Sequence, residues 1–282
     1  MITSTAELVT AAARAGVGIA AFNIVTLEHA EAVIAGAERV GRPVIVQVSE
    51  NTVAFHGGRP APLAAAAAAL ADAAAVPVGL HLDHVTGTAL LHAAPGCGFS
   101  SAMFDASTLD YADNVAATAA AAEFCHARGM WLEGELGAVG GKGSAHDPGV
   151  RTDPDEAVAF VAATGLDMLA VAVGSTHAMA DRSARLDHDL VAALRDAVPV
   201  PLVLHGSSGV PDDELSRAVT GGLVKINIGT ALNKAYTASV RRVAAERPAT
   251  VDPRHALTAA RDAMADTVAS MLLVLHPATV AS

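Results

Sequence analysis

Lysine is scarce in this chain: 282 residues carry only Lys142, Lys225 and Lys234. Covalent imine chemistry therefore has few candidates, and only Lys225 falls inside a strand-like run. The two cysteines, Cys97 and Cys125, show no metal-ligand spacing, which points to a reduced, cytoplasmic protein rather than a disulfide scaffold. No apolar run approaches the roughly 18–20 residues of a membrane span. The opening residues Met1 to Leu8 lack the charged-then-apolar pattern of a signal peptide. Basic charge is short as well, with a formal net charge of −11, which excludes nucleic acid as a partner. An anionic small molecule is not excluded, because a metal ion or a helix N-terminus reverses the local field.

What the chain has in quantity is apolar residues, 52% of the total, arranged in short runs between polar and Gly/Pro punctuation. One phrase repeats about eight times, a strand-like run ending in polar residues and followed by a helix-like stretch. The strands are expected at 18–24, 43–49, 78–84, 101–107, 130–136, 168–174, 202–207 and 223–228. Helices are expected at 28–40, 63–74, 111–128, 154–164, 188–197, 212–220, 232–245 and 253–273. Continuous apolar strands suit a parallel sheet covered on both faces. Eight such units predict an α/β fold, a (β/α)8 TIM barrel forming a single domain over residues 1–282. An open doubly wound sheet is the alternative, and the lack of a G-x-G-x-x-G after the first strand weakens its dinucleotide-binding form.

The polar residues then fall in a pattern. Asn23, Ser49, Asp83, His84, Asp105, Ser107, Glu133, Glu135, His205 and Asn227 all lie at or near C-terminal strand ends, with His177 just beyond one. In a barrel those ends form one ring, where active sites are built. The run Val76 to Thr86 shows the logic: an apolar strand stops on Asp83-His84, and an ionisable pair there needs water or a site. His84, His177 and His205 taken singly read as ordinary structural histidines; together they make a three-imidazole metal site with open positions. Glu135 and Asp105 are candidate extra ligands or partners of the ligands. His81 sits deeper on the strand of Asp83 and is expected to be structural.

Two Gly/Ser turns, Gly206-Ser207-Ser208 and Asn227-Ile228-Gly229-Thr230, precede helices and are expected to hold a phosphate, as loops after strands seven and eight do in barrels. The glycine-rich stretch at about 137–153 is too long for an idle connection and is expected to be a flap. Arg254 reads either as a second phosphate contact or as a helix-start charge.

Together, A-F-N-I at 21–24, H-L-D-H at 81–84, M-F-D-A-S at 103–107, E-L-G-x-x-G-G, A-V-G-S-x-H at 172–177, V-L-H-G-S-S-G and K-I-N-I-x-T resemble the class II, metal-dependent ketose-bisphosphate aldolases, in order along nearly the whole chain. The resemblance implies a catalytic zinc on His84, His177 and His205, with Asp83 as the acid/base beside it. It implies a phosphorylated ketose substrate, fructose or tagatose 1,6-bisphosphate, lined by Asn23 and Ser49 and held at Gly206 to Ser208 and Asn227 to Thr230. A monovalent cation (Na+ or K+) and a homodimer or homotetramer follow from the same resemblance. Two departures fall where the substrate is chosen. The family's G-G-x-E-D flap motif is here Gly140-Gly141-Lys142-Gly143-Ser144, and the usual glycine after the second zinc histidine is Ala178. Two other readings stand beside the zinc aldolase: a Schiff-base aldolase on Lys225, and a non-catalytic barrel that binds a metabolite.

Overall fold

Eight parallel strands close on themselves in sequence order in the computed structural model, which describes residues 1–136, 150–175 and 181–276. They are β1 (Ile19–Asn23), β2 (Val44–Ser49), β3 (Val78–Val85), β4 (Ser101–Phe104), β5 (Trp131–Glu135), β6 (Met168–Ala170), β7 (Leu202–Leu204) and β8 (Leu223–Ile228), which pairs back onto β1. The helices are α1 (Thr5–Ala15), α2 (Leu27–Val40), α3 (Glu50–Phe55), α4 (Ala61–Ala73), α5 (Thr88–Ala93), α6 (Tyr111–His126), α7 (Pro154–Thr164), α8 (His188–Ala197), α9 (Asp212–Gly221), α10 (Thr230–Glu246) and α11 (Arg254–Val274). This is the (β/α)8 barrel expected from the strand count; closure removes the edges an open sheet would leave.

Local chemistry sets several of these boundaries. Asp153 caps α7 by accepting from the backbone of Asp155 and Glu156, with Pro154 at the first helical position and left-handed Gly165 ending the helix. Just before this helix, Thr152 accepts from Ala172 N at 2.8 Å and donates its own N–H to Ala172 O. Of the stretch expected to be a flap, residues 137–149 lie outside the described residues. β4, β6 and β7 are shorter than the sequence suggests. Beyond Phe104 the carboxylate of Asp105 accepts from Ser107 N, an Asx turn that takes the chain off the ladder. Beyond Leu204 the left-handed Gly206, at φ 69°, does the same.

Side-chain alternation divides the interior into two cores. Outward-facing residues such as Phe22, Val46, Leu80 and Leu132 pack under the helical ring. Inward-facing Ile19, Ala21, Ile45, Met103, Met168, Ala170 and Val203 fill the lower barrel together with Leu8, Val9 and Ala12 of α1. Helix α1, absent from the sequence-based list, is thus the plug at the N-terminal end. Its Thr5 meets Ser100 Oγ through both its N–H and its hydroxyl at 3.0 Å. Helix α11 packs against α2 so closely that a Cβ on Gly36 would stand 2.6 Å from Ala265 O. It returns to the barrel's base, where Leu275 O accepts from Gly18 N. Among the described residues, no helix is long and apolar enough to cross a membrane.

Candidate active site

Above the apolar plug the interior turns polar. A cavity of about 790 Å³ opens at the C-terminal ends of the strands, lined on one side by Ser49 to Thr52, Phe55 and Thr86, on the other by Gly206 to Gly209, Gly229, Thr230 and Asn233. Asn23, Asp83, His84, Asp105 and Asn227 line it between these sides.

Asp83 is 1% exposed, so its carboxylate must be satisfied by the protein. Asn23 donates to its Oδ2 at 2.7 Å; Gln47 and Asn227 approach at 3.4 Å, on Oδ2 and Oδ1. Gln47 in turn donates to Asn23 Oδ1 at 2.7 Å, fixing which way the Asn23 amide faces. Three amides thus hold one carboxylate at the cavity's edge.

His84 follows at φ 50°, the only non-glycine with positive φ among the described residues. Left-handed backbone is uncommon for any residue with a side chain, histidine being among those that tolerate it better, and such residues cluster at functional sites. The β3–β4 register shifts between Leu82 and Val85 at the same place, so Asp83 and His84 both face inward. His84 Nδ1 lies 3.4 Å from Asp105 Oδ2, while its Nε2 lies 3.1 Å from His205 Nδ1. One ligand atom each from His84, Glu135 and His205 lies within 4.8 Å of the others. Burial disfavours a proton on His84, but the surrounding Asp83, Asp105 and Glu135 carboxylates outweigh it and raise the pKa to about 9. Asp105 pays the reciprocal desolvation cost, yet the hydrogen bonds from His84 and Ser107 hold it well below the usual carboxylate range. Convergent imidazole and carboxylate donors in a field that attracts positive charge suit a divalent cation such as zinc.

The expected phosphate turns do meet at the cavity. Ser207 is fully buried and donates its hydroxyl to Asn227 O at 2.5 Å, tying the two turns together. Ser208 Oγ accepts from Ala231 N at 3.2 Å, in the first turn of α10, whose N-terminus carries the positive end of the backbone dipole. Ile228 is buried in the outer core, so only backbone atoms are left to serve a ligand there. Ser49 caps α3 through Thr52 N.

One sequence candidate, Arg254, is not brought to the cavity. Arg254 stands at the start of α11, its guanidinium on the Asp252 carboxylate at 2.6–3.0 Å, and is not a lining residue. His177 lies outside the described residues. Sequence reading passed over Gln47, Glu50, Thr86 and Asn233. Gln47 could have been found, because it shares a strand face with Ser49 by alternation. Glu50 accepts from Thr86 N at 3.0 Å and from its hydroxyl at 2.7 Å, joining the loops after β2 and β3.

The sequence profile described as fructose-bisphosphate aldolase class-II matches residues 3–278. The chain is 36% identical to the fructose-bisphosphate aldolase of Geobacillus stearothermophilus, over 95% of this chain and 94% of that one. It is 35% identical to the Thermus caldophilus fructose-bisphosphate aldolase, over 96% and 97%. Among solved structures, the YdjI aldolase of Escherichia coli K12 superposes with a TM-score of 0.86 at 32% identity, covering 98% of this chain and 97% of that one. A putative fructose-1,6-bisphosphate aldolase from Coccidioides immitis gives 0.84 at 28% identity, over 96% and 95%. With its closed barrel and its strand-end carboxylates and imidazoles, the chain belongs to the class II fructose-bisphosphate aldolase family, whose members are metal-dependent aldehyde-lyases.

Proposed function

We propose that this chain is a zinc-dependent aldolase that reversibly cleaves a ketose 1,6-bisphosphate, fructose 1,6-bisphosphate first, to dihydroxyacetone phosphate and glyceraldehyde 3-phosphate. The observation that carries this reading is the placement of Asp83, buried and held by three amides, directly beside the His84–Glu135–His205 donor set. His84 and His205, with Glu135 beside them and His177 as the family resemblance implies, would hold the ion. When bound it supplies Lewis acidity at the substrate carbonyl.

The rest is the work of side chains. Asp83 takes the proton of the C4 hydroxyl as the C3–C4 bond breaks, and returns it in the condensation direction. The C4 fragment leaves as the aldehyde; the bonding pair stays with the three-carbon ketone fragment, which gains a proton at C3 from water while Asp83 gives its own up to water, so that protons balance over the turnover. Asn23 and Asn227 keep the carboxylate aimed at the cavity. The Gly206 to Ser208 and Gly229 to Thr230 backbone, at the start of α10, would take the C1 phosphate. Glutamate and aspartate crowd this site, so the phosphate's place is the side where backbone N–H groups gather.

The Schiff-base alternative finds no support in the geometry of Lys225, which is fully buried, bonded to Glu133 and Asn227, and absent from the cavity lining. The deciding experiment strips the enzyme with a chelator, restores zinc, and follows cleavage of fructose and tagatose 1,6-bisphosphates with metal content measured on the same sample. Cleavage should vanish and return with the metal, and be faster on the fructose isomer. Activity that survives complete demetallation would sink the zinc mechanism; faster tagatose cleavage would reassign the substrate alone.

A further inference from the structure

Below the cavity floor lies a group of fully buried polar side chains that the proposed chemistry does not use: Glu133, Lys225 and His81. We propose that the buried Lys225–Glu133 pair is a positioning device that directs His205 toward the metal site and the Asn227 amide toward Asp83. The inference rests on the metal reading of the site given above.

The directions follow from donor and acceptor chemistry. Lys225 Nζ donates to Glu133 Oε2 at 2.8 Å, which leaves Oε1 to His205 Nε2, also 2.8 Å away. A carboxylate only accepts, so the imidazole must carry its proton on Nε2. The lone pair is then on Nδ1, the atom 3.1 Å from His84 Nε2 and so among the converging donors. The same ammonium acts on Asn227. It only donates, and it donates to Asn227 Oδ1 at 2.6 Å, so Nδ2 points the other way, toward Asp83 Oδ1 at 3.4 Å. Nδ2 also lies 3.0 Å from His205 Nε2, but with both nitrogens carrying protons that approach is a contact and not a hydrogen bond. One cation thereby orients a metal-facing imidazole through Glu133 and an acid/base partner directly.

Among the described residues, His81 stands beside Glu133 without a hydrogen bond to it. His81 donates or accepts at Ser101 Oγ through Nδ1, 2.7 Å, and its Nε2 stays 3.8 Å from Glu133 Oε2. A buried ion pair contributes little net stability compared with apolar side chains of the same volume. What it does contribute is direction, because each partner can face the other in only one sense. Asp105 serves His84 in the matching way from the cavity's other side, at 3.4 Å.

The test uses the full-length enzyme and three variants: Glu133→Gln, Lys225→Met, and the double Glu133→Leu/Lys225→Met, which removes both charges together. After chelation, Zn²⁺ affinity is read by competition with a chromophoric chelator, the Co²⁺ form is read by its absorption bands, and folding by circular dichroism. Folded variants should bind Zn²⁺ about 10–100-fold more weakly, the range seen when a ligand's hydrogen-bond partner is removed, with altered Co²⁺ bands. The double variant should melt near the parent temperature yet still bind weakly. Parent-like affinity and spectrum in any folded Glu133 variant overturns the inference, and so does failure of all three to fold, which would make the pair purely structural. Parent protein that binds no Zn²⁺ at all would instead overturn the metal reading itself.

Discussion

The barrel's interior is two environments built on the same eight strands. Toward the N-terminal ends, inward side chains are Ile19, Ile45, Met103, Met168 and Val203, sealed by Leu8, Val9 and Ala12. Toward the C-terminal ends they are Gln47, Asp83, Glu133, Glu135, His205, Lys225 and Asn227, nearly all as buried as the apolar set. Equal burial with opposite chemistry means the two ends are held differently. The lower end is stabilised by removing apolar surface from water. The upper end removes charges from water, which is tolerable only because nearly every group has a directed partner. The lower end can therefore repack with a modest loss, whereas the upper end depends on particular atoms facing particular ways.

The sharpest way to break that contrast is Asp83→Ala. Truncation deletes the proposed acid/base but none of His84, Glu135 or His205, so zinc should stay bound while kcat falls about 10²–10⁴-fold, the range for a general base. Cleavage kinetics with metal content on the same sample checks this. An unchanged rate would refute the role given to Asp83, and lost metal would show that it supports the ion as well.

Next in size is a change at the opposite end. Met168→Ala empties a fully buried position of the lower core, and should cost about 2–5 kcal/mol of stability. Urea denaturation reads the loss, while KM and kcat of the folded enzyme should stay near those of the parent. A large change in kcat with little loss of stability would show that the two ends are coupled through the barrel rather than separately held.

How much of this division could be read beforehand differs by residue. Eight apolar runs, each ending in polar residues, made the barrel legible, because strand period and strand ends are local properties. Asp83, His84 and His205 were legible for the same reason, as ionisable groups at strand ends. Alternation reports which face a side chain takes but not its depth, so Glu133 and Glu135 looked alike. The fold separates them, Glu135 into the donor set and Glu133 onto Lys225. Helix α1 carried a signal that went unread, Ser4 three residues before Glu7, with Ser4 Oγ indeed accepting from Glu7 N. That it plugs the barrel is a tertiary fact that no local pattern holds. Arg254 sits where sequence allowed either reading, and its pairing with Asp252 in the chain matches the helix-start one.

The smallest predicted effect per step is a pH dependence that belongs to the upper end alone. In the metal-free protein His84 lies among carboxylates that, against burial, raise its pKa to about 9. The folded value is thus above the ordinary 6.5, and the proton must leave before Nε2 can serve a cation. Proton and metal compete for one position, and the proton holds it throughout neutral pH. Apparent Zn²⁺ affinity should therefore climb by about tenfold per pH unit between 6.5 and 9 and flatten above, each unit corresponding to about 1.4 kcal/mol. Chelator competition at several pH values measures the slope. Asp105→Asn removes one of the anions facing His84, so the flattening should move to lower pH in that variant, whereas Met168→Ala should leave it in place. A slope that flattens near 6.5 in the parent would mean that the carboxylates do not control this imidazole, and the upper end would then lack the directed electrostatics that separate it from the lower.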